Sequence, residues 1–458
     1  MLDETEWPYM RNKINKNFLT VAAVVVALLV MGRYYAVQKA AAPLPKLKPR
    51  GGEVQPSSEF LNAKQSAEYY ETEIRRKPKV VKNYVALANV FLQEARVTGD
   101  HHEYIPKAQE MIAAALQLEA DNFEALLTKA SIMLTLHQFQ EAKSLAQIAV
   151  VKNPYSAFAH GVLVDAHAEV GEYDDAVKAS DKMLGLRPDL RSYARASYLR
   201  ELHGDNAGAI TAMRMAVDAG VAGQENRAWV LYHLGMLYAQ AGKLDTAAYI
   251  FNGTLEERPN YPYALSGLAQ VNAARQNYRE ATRYLKLALE ATPEHVFLEQ
   301  LAETYRRAGD TRRADSTAQE ALKTFGQHEQ GGWNINREFA LFCANHDLNL
   351  PVALKRAEAE YKMRPNNIDV QETYAWLLYK NGRAAEAAPI IEQSLRLKTQ
   401  RATLSYHAGM IYFTANRSDQ ARAYLQQALA QNLSFHPLDL AEAQKTLTQL
   451  AGKNYALK

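Results

Sequence analysis

Histidines, acids and one thiol are the side chains here that could do chemistry, and their spacing decides which chemistry is open. His160, Asp165 and His167 form the most metal-like group. His160 and His167 are seven residues apart and share one helical face, but Asp165 does not join them at ligand spacing. They read as packed or solvated histidines. His101-His102 reads as a pair in a flexible loop, and Cys343, behind the apolar stretch Phe339 to Phe342, reads as a core thiol. The chain has no phosphate-cradling glycine loop, no metalloprotease helix and no nucleophile elbow. Three tripeptides beginning at Asn252, Asn416 and Asn432 match the glycosylation pattern but fall in or beside expected helices, where chance explains them. The expectation is a protein that is not an enzyme, with no catalytic residue, no metal, no cofactor and no small-molecule substrate.

Composition narrows the class further. The chain has 458 residues, 48% hydrophobic and 22% charged, with 22 Gly and 16 Pro, which is ordinary globular usage. A single cysteine rules out an internal disulfide framework and a Cys-rich zinc module. A net charge of +3 gives no electrostatic case for nucleic acid.

The beginning of the chain has a different character. A short basic tail, residues 1–17 with Arg11, Lys13 and Lys16, precedes an apolar run from Phe18 to Ala36. Nineteen residues of helix span about 28 Å at about 1.5 Å per residue, close to a hydrocarbon core of about 30 Å. Residues 18–36 are therefore expected to be a single-pass transmembrane helix, with Arg33 able to snorkel and Tyr34 and Tyr35 suited to the interface. The competing reading is a cleaved secretory signal, for which only Ala40-Ala41-Ala42 offers a fitting site, late and followed by Pro43. Basic residues on the two sides of the run split the positive-inside rule. A basic tail before an apolar run is the usual export-anchor arrangement, so the bulk of the chain is expected on the extracytoplasmic (periplasmic) side. Pro43, Pro45, Pro49, Gly51-Gly52 and Pro56 mark residues 37–56 as an extended tether.

One period runs through the rest. Ala142 and Ala176 are 34 residues apart, as are Pro154 and Pro188, Ala247 and Ala281, and Pro259 and Pro293. Ala209, Ala314, Ala353, Ala387 and Ala421 occupy the same slot. Within one copy, Leu231, Leu234 and Tyr238 fall at i, i+3 and i+7, a single buried helical stripe. Gly235 and Ala247 are small where two helices must approach, Gly242 can end a helix in the left-handed conformation, and Pro259 stops the next. By this period and these markers the sequence resembles the tetratricopeptide-repeat (TPR) family over about residues 80–436, roughly ten repeats. The resemblance implies an all-α superhelical solenoid of antiparallel helix pairs. Residues 57–79 read as a preceding half-repeat, and 437–458 as a capping helix and tail that closes the last apolar face.

Three departures interrupt the period. Gly99 to His102 reads as an insertion, the stretch between Ala216 and Trp229 as an inserted loop, and Gly326 to Gly332 as an irregular segment before a turn with Pro351 in place of glycine. They read as tolerated loops, with hinges between sub-arrays as the other reading.

In the family the first helix of each repeat lines a concave groove. Carrying the family's groove positions over gives Phe158, Tyr198, Trp229, Tyr232, Tyr263, Phe342, Trp376, Tyr379, Tyr406 and Phe413. On that surface they would suit protein or peptide partners, since aromatic rings give large contact area with a polar handle; the competing reading makes many of them packing between repeats. Glu299, Glu303, Arg306 and Arg307 read as a solvated face. The Lys and Asn clamp of the co-chaperone subgroup is missing, which also weighs against a similarity in layout to mitochondrial import receptors. The resulting expectation is a membrane-anchored scaffold that binds partner proteins; the alternative is the regulatory or substrate-recruiting subunit of a membrane-associated enzyme complex.

Overall fold

The computed structural model describes residues 21, 44–48, 58–431 and 437–456. The chain divides into two units, Met1–Gly51 and Gly52–Lys458. Of the first, only Val21 and 44–48 are described, and 44–48 has no regular secondary structure. The expected membrane helix at 18–36 thus lies outside the described residues apart from Val21, and the tether apart from 44–48. Among the described residues no helix is long and apolar enough to cross a membrane.

The second unit is built from helices and turns, with no strand among the described residues. Helix Ser58–Arg76 leads into ten helix pairs. Repeats 1 to 5 pair Val81–Thr98 with His101–Leu118, Phe123–Thr135 with Phe139–Lys152, Ala157–Val170 with Tyr173–Leu186, Leu190–Leu202 with Asn206–Asp218, and Glu225–Gln240 with Leu244–Glu257. Repeats 6 to 10 pair Pro262–Ala274 with Tyr278–Ala291, His295–Arg307 with Thr311–Gln330, Asn336–Asn345 with Leu350–Met363, Ile368–Lys380 with Ala384–Ser394, and Ala402–Thr414 with Ser418–Ala430. Pro437–Ala456 follows and buries Ala443, Thr446 and Leu450, while Gln444, Lys445 and Gln449 stay in solvent.

Side-chain size at the helix crossings sets the stacking. The alanine slot recurs at Ala108, Ala142, Ala176, Ala209, Ala247, Ala281, Ala314, Ala353, Ala387 and Ala421, each 0% exposed. A larger side chain in such a slot overpacks the crossing, at a cost of roughly 1–3 kcal/mol. Gly235 serves the same purpose on the first helix of repeat 5: a Cβ there would lie 2.3 Å from the Phe251 ring. The turn joining the two helices of each repeat contains a left-handed residue. Glycine supplies it in repeats 1, 3, 4, 5, 7 and 9, and His137, Gln276, Asp347 and Asn416 supply it in repeats 2, 6, 8 and 10. In repeat 8, Asn349 is left-handed as well, so Pro351 sits in the first turn of the second helix, where no donor is missed.

The same turns join distant parts of the array. In repeat 2, the Asn334 amide donates to the Leu136 carbonyl (3.0 Å), His137 Nδ1 lies 3.1 Å from the Asn334 carbonyl, and Gln138 Nε2 donates to the Gly332 carbonyl (3.3 Å). In repeat 3, Arg364 donates to the carbonyl and the carboxylate of Glu169 (2.9 and 2.7 Å). The Ile368 amide donates to the Tyr173 hydroxyl (2.9 Å), and Ile368 joins the apolar cluster of Ala168, Tyr173 and Leu202. In repeat 4, the Thr399 hydroxyl donates to the Leu202 carbonyl. In repeat 1, His101 Nε2 lies 3.4 Å from Glu294. In each case the turn of one repeat rests on the segment leading into the repeat six further on. One superhelical turn therefore takes six repeats, and successive turns touch.

Two of the three departures resolve differently from expectation. Gly99 to His102 is no insertion: the extra length of repeat 1 goes into two helices of 18 residues each, separated only by Gly99 and Asp100. His101-His102 is no loop pair either, since both lie in the first turn of the second helix. Most of Gly326 to Gly332 is likewise helical, because Thr311–Gln330 runs through Gly326. Between Asp218 and Glu225 there is a loop, tied down by Arg227, which bonds the Val217 carbonyl and the Glu257 carboxylate.

Candidate partner-binding groove

The expected groove aromatics do not form one uniform surface. Phe158, Tyr198 and Trp229, on the first helices of repeats 3, 4 and 5, are 40%, 37% and 39% exposed. Tyr232 and Tyr263 are half-buried and pack on each other with centroids 5.5 Å apart. Tyr379 and Phe413 are half-buried too. Phe342, Trp376 and Tyr406 are buried, at 2%, 6% and 5%. These three correct the expectation, since they are core. Phe342 packs on Phe325 (5.6 Å) and His346 (4.5 Å), and Trp376 stacks between Tyr379 (4.7 Å) and His407 (4.0 Å), with Tyr406 at 5.9 Å. The open aromatic surface is thus confined to repeats 3 to 5.

A cavity of about 360 Å³ lies beside that surface, lined by Gln93, Arg96, Arg191, Val221, Gln224 and Asn226. Its walls come from the first helix of repeat 1, the first helix of repeat 4, and the approach and first turn of repeat 5. Arg96, Arg191 and Val221 keep solvent exposure, so the cavity is an open cleft where repeats 1, 4 and 5 meet. A second cavity of about 560 Å³ shares Gln93 and Gln224 and extends to Asn62, Ser66 and Tyr70 on Ser58–Arg76 and to Asn89. Of the exposed rings, Phe158 lies against the wall of the first cavity. The Arg191 guanidinium lies 5.9 Å from the centroid of the Phe158 ring, Tyr198 is two helical turns on from Arg191, and Trp229 is one turn on from Asn226.

Charge inside the curve is mostly paired. Arg195 donates to both Asp165 oxygens (2.8 and 2.5 Å). Arg401 donates to Asp369 (2.6 Å) and Glu372 (2.7 Å), and Glu372 also holds His407 Nδ1 at 2.9 Å. Burial would raise the Asp369 carboxyl, but Arg401 and Arg337 hold it below its ordinary value. At Glu299 the balance goes the other way: burial, reinforced by Glu338 and Glu303, outweighs Arg337 and lifts its carboxyl to about 8. Arg307, nearly buried, bonds Glu303. The expected solvated face on this helix is therefore a half-buried one.

The metal-like residues separate. His160 Nε2 lies 3.0 Å from the Pro154 carbonyl, Asp165 is taken by Arg195, and His167 Nδ1 lies 2.6 Å from Glu172. His167, Glu172 and Asp175 do bring their ligand atoms within 4.8 Å of one another. Lys143 and Lys178 already neutralise these carboxylates at 2.7 and 2.8 Å, so the group is an ion-pair cluster. Cys343 is fully buried and its thiol is pushed up to about 12 by burial, the behaviour of an inert core cysteine.

Sequence reasoning did not find Arg96, Arg191 and the amides beside them. No short-range pattern joins residues on repeats 1, 4 and 5, and only the curvature brings them together.

Comparison with known proteins gives the same repeat. A profile described as tetratricopeptide repeat matches residues 238–297, and a second of the same description matches 193–262 and 373–437. The chain carries tetratricopeptide repeats. No curated protein matches it. Among solved structures, human IFIT1, as a dimer with PPP-AAAA, is 13% identical with a TM-score of 0.42, covering 82% of this chain and 96% of that one. Yeast Tom70 is 15% identical with a TM-score of 0.36, covering 85% and 94%. PilF of Pseudomonas aeruginosa is 19% identical with a TM-score of 0.37, covering 44% and 90%.

Proposed function

We propose that this array of tetratricopeptide repeats is a membrane-anchored scaffold that captures partner proteins on the inner face of repeats 1 to 5. Tetratricopeptide repeats are in general protein-interaction modules, and no reaction is assigned to this one. The observation that carries the reading is the trio Phe158, Tyr198 and Trp229: large rings left a third or more exposed on the first helices of three successive repeats, with Phe158 beside the cleft walled by Arg191.

The anchor is the apolar run 18–36, and residues 37–56 would hold the array off the bilayer. The array is placed on the extracytoplasmic side, on the strength of the basic tail before the run.

Capture from detergent extracts tests the first part. Phe158→Ala combined with Trp229→Ala should abolish recovery of partners while leaving the melting temperature nearly unchanged. Recovery that survives both changes would reject this face. A co-purifying hydrolase or transferase would favour the enzyme-complex alternative. C-terminal reporter fusions test the placement, and activity confined to the cytoplasm would overturn it.

A further inference from the structure

The cavity between repeats 1, 4 and 5 holds positive charge that the surrounding chain does not balance. Among the described residues neither Arg96 nor Arg191 has a carboxylate within ion-pair distance. Three acids nearby are committed elsewhere. Asp165 holds Arg195, Glu257 holds Arg227, and Asp189 caps its helix through the Arg191 and Ser192 amides and pairs with Arg187 at 3.0 Å. Partial burial, together with the like charges of Arg96 and Arg195, lowers the pKa of Arg191, while both Arg96 and Arg191 keep solvent exposure. Asn226 presents a buried Oδ1 with no hydrogen-bond donor among the described residues. Native interiors rarely leave such groups unmatched unless something else satisfies them.

We propose that this cavity binds an acidic side chain of an extended partner peptide, with Arg96 and Arg191 on its carboxylate and Asn226 Oδ1 accepting a peptide N–H. The inference rests on the groove reading above and adds the chemistry of the partner. A planar guanidinium fork matches a carboxylate bidentately. A bare anion would use the arginines alone, whereas the adjoining cavity is lined by Asn62, Asn89, Gln93 and Gln224. Side-chain amides offer both donor and acceptor, which is what an extended peptide backbone presents. Phe158, beside Arg191, supplies apolar contact for a flanking residue.

A random octapeptide library with amidated C-termini, selected on the full chain in detergent micelles, tests this. Peptides enriched on the unaltered protein should carry Asp or Glu, and the enrichment of acids should vanish on Arg96→Gln/Arg191→Gln. The best peptide, remade with a fluorophore, should bind the double variant at least about tenfold more weakly, a loss of about 1.4 kcal/mol. Its Asn or Gln analogue should lose as much on the unaltered protein. Enriched peptides without acids would leave the groove reading standing and overturn this one; no enrichment at all would overturn both. Acid preference that persists in the double variant, or displacement of the peptide by inorganic phosphate at equal affinity, would also reject the proposal. An unchanged circular-dichroism melt of the variant shows that folding is not the cause.

Discussion

Glu169 and Arg364 lie 195 residues apart in the chain, and the guanidinium of one donates to the carboxylate of the other at 2.7 Å. Arg364 is nearly buried and also donates to Glu360, itself buried, at 2.6 Å. Burial alone pushes the Glu169 carboxyl above its ordinary value, and Arg364 and Arg337 pull it back only in part. Arg364→Leu should therefore destabilise the array by roughly 3–5 kcal/mol, because it strands two carboxylates rather than merely losing a contact. Urea unfolding measures it, and a loss below about 1 kcal/mol would show that the pair does not hold the turns together.

Gly171 and Gly382 separate backbone strain from contact between turns. Both are left-handed, at φ +85° and +76°. A Cβ on Gly171 would lie 2.3 Å from the Asn366 carbonyl carbon, whereas one on Gly382 meets nothing within 4 Å. Gly382→Ala should cost only about 1–2 kcal/mol, the price of a left-handed alanine. Gly171→Ala should cost more and should also enlarge the radius of gyration in small-angle scattering as the turns part. Equal effects of the two changes on stability and size would refute the contact between successive turns.

Acid should weaken the same seam near repeat 1. His328 meets His102 (ring centroids 4.7 Å), His295 (5.0 Å) and Trp333 (5.7 Å), with Glu294 and His101 also facing it. Burial, then the neighbouring histidines, lowers His328 to about 4, while Glu294 opposes the shift. The folded state binds protons less readily than the unfolded one, whose histidine titrates near 6.5. The stabilisation is complete above that pH and is lost as pH falls through 6 toward 4, by an amount on the order of a few kcal/mol. Melting temperature measured between pH 7.5 and 4.5 should fall, and His328→Phe should flatten the fall. A slope unaffected by His328→Phe would assign the acid sensitivity elsewhere.

Two tryptophans that read alike in the sequence should behave oppositely. Trp376→Ala removes a buried ring stacked on His407 and should cost roughly 3–5 kcal/mol. Trp229→Ala removes a ring 39% exposed and should stay within about 1 kcal/mol. Chemical denaturation of the two variants reads the difference directly, and similar losses would mean that Trp229 is also packing.

The 34-residue period, the buried alanine slots and the helix pairs were legible in the sequence, because they depend on local geometry. Ala247 must be small wherever its two helices cross, and Gly242 must turn left-handed whatever lies beyond it. The length of repeat 1 was misread, since two longer helices and an inserted loop add the same number of residues.

Tertiary structure alone decided which aromatics are open and where the cavity lies. Tyr198 and Phe342 each stand 11 residues before the alanine slot of their repeat, yet Phe342 is buried and Tyr198 is 37% exposed. The seam between turns was equally hidden. A small rotation per repeat is invisible in any one copy of the pattern; over three copies it brings Arg96 to share a wall with Arg191, and over six it brings Asn334 to Leu136. Sequence sets each step of the stack; the sum of the steps sets what meets across it.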